Sequence, residues 1–99
     1  MVRNKQIESR IRNGDKVVIY IWDYLYGPCM ILKTIFDRVS KTNKGDVNMY
    51  SINVDDSKNL INNYNVRSIP KVLIFNKGKL VNSKVGMVGE NKLKNLLNF

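Results

Sequence analysis

The sequence predicts an α/β domain in which a sheet lies beneath covering helices. Two apolar blocks carry that reading, Val17-Val18-Ile19-Tyr20-Ile21-Trp22 and Val72-Leu73-Ile74-Phe75. Both are continuous rather than alternating and rich in β-branched and aromatic side chains, the pattern of strands buried on both faces. A third observation is that helix-type and strand-type segments alternate along 99 residues, a length that suits one domain over 1–99.

The elements follow in order. Gln6 to Arg12 reads as a short helix, with Ile7 and Ile11 four apart on one face. Asn13-Gly14-Asp15 stops it, because glycine fits the left-handed position after a helix end. Val17 to Trp22 is the first strand. Asp23-Tyr24-Leu25-Tyr26-Gly27 connects it to a helix that Pro28 opens and that runs to about Ser40. Ile31, Leu32, Ile35, Phe36 and Val39 form the apolar stripe expected to face the core.

Thr42 to Asp46 is a polar turn, and Val47 to Val54 a second strand. Asp55-Asp56-Ser57 begins a short helix, its acidic groups near the positive end of the dipole, and Leu60, Ile61 and Tyr64 face inward. Lys71–Phe75 and Leu80–Val85 are two strands joined by the turn Asn76-Lys77-Gly78-Lys79, which makes them an antiparallel hairpin. Gly89 or Glu90 opens the last helix, which carries Leu93, Leu96 and Leu97. The order is α-β-α-β-α-β-β-α.

Composition removes several chemistries. There is one cysteine and no histidine. An internal disulfide, a multi-cysteine zinc site, a Ser-His triad and His metal ligation are all excluded, so neither a cofactor nor a metal is expected. No apolar run reaches the roughly 18–20 residues of a membrane span, and no signal peptide follows Met1-Val2-Arg3. A soluble, cytoplasmic domain with no membrane partner is the expectation. The net charge of +9 concentrates at the ends, +3 over residues 1–16 and +5 over residues 71–99. Such a surface attracts nucleic acid or an acidic protein. Asn and Lys together make up 26 residues, a bias that codons of an AT-rich genome would also produce. Aromatic residues do not interleave with the basic ones, so a nucleic-acid partner is supported by charge alone.

The chemistry-bearing stretch is Gly27-Pro28-Cys29, which follows a strand and opens a helix. A thiol there meets unpaired backbone N–H groups and the helix dipole, which favour thiolate. Val66-Arg67-Ser68-Ile69-Pro70 stands directly before a strand, where proline marks a strand start or a cis turn. Together with Asn53-Val54-Asp55, Gly78 and Gly86, these landmarks resemble the thioredoxin family in register over about residues 6–97. The resemblance implies a three-layer α/β/α sandwich with a four-stranded mixed sheet, the family's N-terminal strand being missing or rudimentary.

The departures from that family decide the functional expectation. Its disulfide-exchanging members carry Cys-Gly-Pro-Cys, and here the stretch reads Tyr26-Gly27-Pro28-Cys29. Tyr26 stands where the attacking cysteine should be; a phenol with a pKa of about 10 is no substitute for a thiolate and forms no disulfide. The acid that many members bury on the first core strand falls at Tyr20. Ordinary dithiol activity is therefore expected to be absent. The resemblance also places Tyr26, Gly27, Pro28, Ile69, Pro70, Gly86 and Met87 around the family's substrate groove, where the Ile69 backbone would pair with an extended peptide. An open edge at Val47–Val54 offers a second surface for strand pairing. The leading expectation is a redox-inactive protein- or peptide-binding module that uses this groove. The alternative is a monothiol oxidoreductase acting through Cys29 on protein disulfides or glutathione mixed disulfides. Cys29 itself reads either as that reactive thiol or as a small buried apolar residue.

Overall fold

A strand whose six side chains are all apolar is satisfied only in the interior, and that is where β1, Val17–Trp22, lies. Every one of its residues is buried. The computed structural model describes residues 2–23, 27–42, 47–86 and 88–97, with side chains from residue 5 onward and, in the second helix, from residue 30 onward. The other strands are β2 (Asn48–Asn53), β3 (Lys71–Asn76) and β4 (Lys79–Val85). They form one mixed sheet in the order β2-β1-β3-β4. β1 runs parallel to β2 and antiparallel to β3, and the β3–β4 hairpin is antiparallel.

Alternation along β1 divides the core in two, because successive side chains point to opposite faces. Val18, Tyr20 and Trp22 join Val72, Ile74, Leu32, Phe36, Val39, Val88 and Leu93 on one face. Val17, Ile19 and Ile21 join Leu73, Phe75, Ile7, Ile11 and Leu60 on the other. The first face is covered by α2 (Gly27–Thr42) and α4 (Glu90–Leu96), the second by α1 (Val2–Arg12) and α3 (Lys58–Asn63). This is the three-layer arrangement the sequence implied.

Local signals explain the element ends. The N–H groups of Gly14 and Asp15 donate to the carbonyls of Ile11 and Arg10, satisfying the last carbonyls of α1, and Gly14 takes φ +88° to do so. The same pair of bonds closes α3: Asn65 and Val66 donate to Asn62 and Ile61, with Asn65 at φ +54°. The hairpin turns through Lys77 and Gly78, both at positive φ, the signature of the two-residue turn that matches strand twist.

Several boundaries differ from the sequence reading. α1 begins at Val2, four residues earlier than the Ile7–Ile11 pattern marks, and α2 extends to Thr42. Most of the expected 42–46 turn lies outside the described residues. The acidic pair after β2 forms a separate 3-10 turn, Val54–Asp56, and α3 starts only at Lys58. Asn53 caps that turn, its Oδ1 accepting from the Asp55 N–H at 2.8 Å. Ile31 is a correction: it is 60% exposed, while Leu32, Phe36 and Val39 are buried and Ile35 packs at the margin. One residue is about 100° of helix rotation, enough to carry Ile31 off the stripe that α2 presents to the sheet.

Candidate functional site

The topology gathers the sequence landmarks at one end of the sheet. β1 and β2 are parallel, so their C-terminal residues Trp22 and Asn53 are neighbours in register. β3 runs the other way and begins at that same end, with Ile21 opposite Lys71. β4 returns there, with Lys71 opposite Val85. The opening of α2 at Gly27, the Ile69-Pro70 step and Gly86 therefore converge from three separate connections.

Each landmark has a local cause. Gly27, Pro28 and Cys29 form the first turn of α2, so position 29 belongs to the turn whose backbone N–H groups have no partners within the helix. The Ile69–Pro70 peptide bond is cis. Pro70 is buried, and its carbonyl accepts a 2.9 Å hydrogen bond from the Gly86 N–H. That bond holds the connection after β4 against the start of β3. Ile69 packs against both halves of the core, so its position is fixed from two sides. Tyr26 and Met87, the remaining residues of the expected groove, lie outside the described residues.

Two flanking features were not legible as site features in the sequence. Lys33 lies four residues after Cys29, hence one helical turn along α2. Its Nζ sits 5.5 Å from the centre of the Trp22 ring and donates to Asp37 Oδ2 at 2.8 Å. The helical spacing 29, 33, 37 was the available signal. Asn53, beside Trp22, is 6% exposed, and its Nδ2 has no hydrogen-bond partner among the described residues. Trp22 itself is 5% exposed and belongs to the core.

Tyr20, at the strand position where the resemblance leads one to look for an acid, is fully buried with its ring 5.4 Å from that of Phe36. An aromatic pair occupies that place, and the carboxylate that would assist proton transfer is absent from it.

The model of the thioredoxin family matches residues 1–99. A thioredoxin of Rickettsia felis is 34% identical over 98 residues, covering 98% of this chain and 93% of the relative. A thioredoxin of Mycoplasmoides gallisepticum is 33% identical over 97 residues, covering 97% and 96%. The solved structure of a mutant thioredoxin from Halobacterium salinarum superposes with a TM-score of 0.82 at 26% identity, over 95% of this chain and 81% of that one.

These relatives overturn the leading expectation of a redox-inactive binding module. Curated proteins about a third identical along almost the whole chain are named thioredoxin, which points to redox function. The reading of lost activity rested on Tyr26 in place of the first cysteine and Tyr20 in place of the buried acid, and neither replacement removes the thiol that is left.

Proposed function

The chain belongs to the thioredoxin family, and from that premise we propose that it exchanges disulfides as a monothiol, through Cys29. The observation that carries the reading is the retention of this one cysteine in the first turn of α2, in a chain whose thioredoxin relatives align from end to end. The helix start supports thiolate, the reactive form, through its free N–H groups and dipole.

The step balances with one protein thiol and an external one. Cys29 thiolate attacks one sulfur of a substrate disulfide, forming a Cys29–substrate mixed disulfide and expelling the other sulfur as thiolate. A low-molecular-weight thiol of the glutathione class then attacks the mixed disulfide and releases Cys29. A second equivalent of that thiol reduces the small-molecule mixed disulfide so formed. In sum, two external thiols are oxidised to one disulfide while one substrate disulfide is reduced to two thiols. With Tyr26 in place of the first family cysteine, no internal thiol competes for the resolving step.

Substrate placement follows from the same end of the sheet. An extended peptide lies beside Pro70, with the Ile69 backbone, Gly86 and the opening of α2 at Gly27 and Pro28 as its walls; Tyr26 and Met87, which the family resemblance adds to this groove, lie outside the described residues. Such a cycle needs a compartment rich in free thiols, which fits the cytoplasm. Among the described residues no helix is long and apolar enough to cross a membrane.

The test is insulin-disulfide reduction by dithiothreitol, and reduction of a glutathionylated peptide by glutathione, with wild type and Cys29→Ala in parallel. Acceleration that disappears in Cys29→Ala is expected in at least one assay. Rates equal to the reductant blank in both would overturn the reading.

A further inference from the structure

The edge strand β4 combines three features. It pairs with β3 on one side and with no other strand among the described residues, leaving an open row of backbone groups. Leu80, Val81 and Val85 are 44%, 52% and 51% exposed, and they make up three of the five large exposed hydrophobic residues among those described. Finally, Lys71, Lys77, Lys79 and Lys84 surround this strand. No acidic residue stands between Asp56 and Glu90, and the ion pairs among the described residues engage Arg10, Lys33, Arg38 and Lys94 instead.

Lysines and bulges commonly protect sheet edges from pairing, and β4 has both, with Val81 as the extra residue opposite the Ile74–Phe75 step. Protection alone leaves the apolar residues unexplained. Leu80 is opposite Phe75 and Val85 opposite Lys71, so both lie on the sheet face that α1 and α3 cover farther in. They continue the apolar surface past the covering helices. A strand laid along β4 would extend the sheet, shield Leu80 and Val85 with alternate side chains, and neutralise the lysines if it carried carboxylates.

From this coincidence of open backbone, apolar shelf and uncompensated positive charge, we propose that β4 is a docking edge for an extended, acidic protein segment that adds a fifth strand. Charge selects the occupant. A second copy of this chain, itself at +9, would set lysine against lysine across the new pair. A nucleic acid would use the charge but leave the apolar row without a counterpart, and no aromatic residue of β4 offers a stacking surface. The edge acts independently of Cys29, so it stands or falls apart from the redox reading.

The test uses a capped peptide of alternating Glu and Val, about ten residues long, which is a full strand length. Its neutral twin carries Gln in place of Glu. Binding is followed by amide resonances and hydrogen exchange at about 50 mM and about 300 mM salt, on either side of strong screening. The acidic peptide is expected to slow exchange within 79–85 and to bind more weakly at the higher salt. The charge reversal Lys79→Glu/Lys84→Glu should weaken it about tenfold or more. Val81→Pro, which removes a backbone N–H and fixes φ at the bulge, should abolish the protection while leaving the circular dichroism spectrum of the fold in place. Equal binding of the neutral twin, protection at 48–53 in place of 79–85, or indifference to the charge reversal would each overturn the proposal. So would self-association through residues 79–85, or tighter binding of a single-stranded oligonucleotide at the same residues, which would assign the edge to a second copy or to nucleic acid.

Discussion

The ring of Tyr20 lies 5.4 Å from that of Phe36, tilted by 36°, and the pair fills the centre of the core beneath α2. Tyr20 is wholly buried, so returning an acid to this position would place a carboxylate among apolar neighbours. Tyr20→Asp should lose about 3–5 kcal/mol, from the vanished ring and the cost of a buried acid, without restoring any dithiol activity. Urea unfolding gives the first quantity and insulin reduction the second. Tyr20→Phe, which keeps the ring, should lose less than half as much.

Replacing the lost nucleophile is a different matter. Tyr26→Cys recreates Cys-Gly-Pro-Cys, so the mixed disulfide would be resolved from within the chain rather than by an external thiol. Intramolecular attack gains a large effective concentration, and insulin reduction should rise about tenfold or more over wild type. A rate equal to wild type would mean that the surroundings no longer support exchange at position 26.

The turn between β3 and β4 is docked onto the end of α1, the Lys77 N–H donating to the Gly14 carbonyl at 3.3 Å. Lys77 holds φ +54°, a region that Asn tolerates better. Lys77→Asn should raise stability by about 0.5–1 kcal/mol. Gly14→Ala should lower it by about 1–2 kcal/mol, because φ there is +88°. A methyl group at Gly14 would meet only ordinary contact, 3.7 Å from the Lys77 Cα, so that loss is conformational rather than steric. For a domain of this size each kcal/mol moves Tm by about 4–8 °C.

Tyr64 gives the fold an alkaline sensitivity. Burial, and secondarily the Glu8 carboxylate, raise its phenol pKa, and its ring packs edge-on against Phe75 at 4.9 Å. The folded state then holds the phenolic proton more tightly than the unfolded chain does. The stability this contributes is complete below the unfolded value of about 10 and is lost as pH rises through the higher folded value. The urea midpoint of wild type should fall more steeply above about pH 10 than that of Tyr64→Phe, which has no proton to lose.

Lys33 bridges the helix and the end of β1, between Asp37 and the Trp22 ring. Lys33→Met should cost about 0.5–1 kcal/mol through the lost cation–π contact and alter the tryptophan emission, since a charge 5.5 Å from the ring centre is removed. Unchanged emission would place the ammonium elsewhere in solution.

What was legible in the sequence was whatever a short stretch determines by itself. The uncharged block Val17–Trp22 reads as a strand buried on both faces, Asn76-Lys77-Gly78-Lys79 as a hairpin turn, and Gly14 as a helix stop. The stripe on α2 was less determinate. A 3.6-residue period admits both Ile31 and Leu32 to the same apolar face, and only the position of the sheet and of α4 turns Ile31 outward. The first turn of α1 carried no apolar periodicity to mark it. At the site, Cys29 and Pro70 were legible as landmarks. Lys33 over Trp22 was not, because the contact joins two elements whose approach no local pattern encodes. The functional reading failed for a different reason: the departures at Tyr26 and Tyr20 were weighed above the family resemblance, whereas relatives named thioredoxin that align along almost the whole chain point to redox function.

The complete enclosure of β1 also bears on what happens when the fold opens. Val17 to Trp22 is six residues of high β-propensity with no charge, proline or glycine, the composition of a segment that stacks into dry, self-complementary sheets. In the native state its backbone is paired on both sides, by β2 and β3, and its two faces are spent on two cores. Released, it is the stretch best suited to seed fibrils. Lys16 and Asp23 bracket it as charged gatekeepers, and a net charge of +9 keeps unfolded chains apart. Salt, polyanions or partial unfolding that weaken either safeguard should therefore convert a loss of stability directly into aggregation, with this strand as the seed.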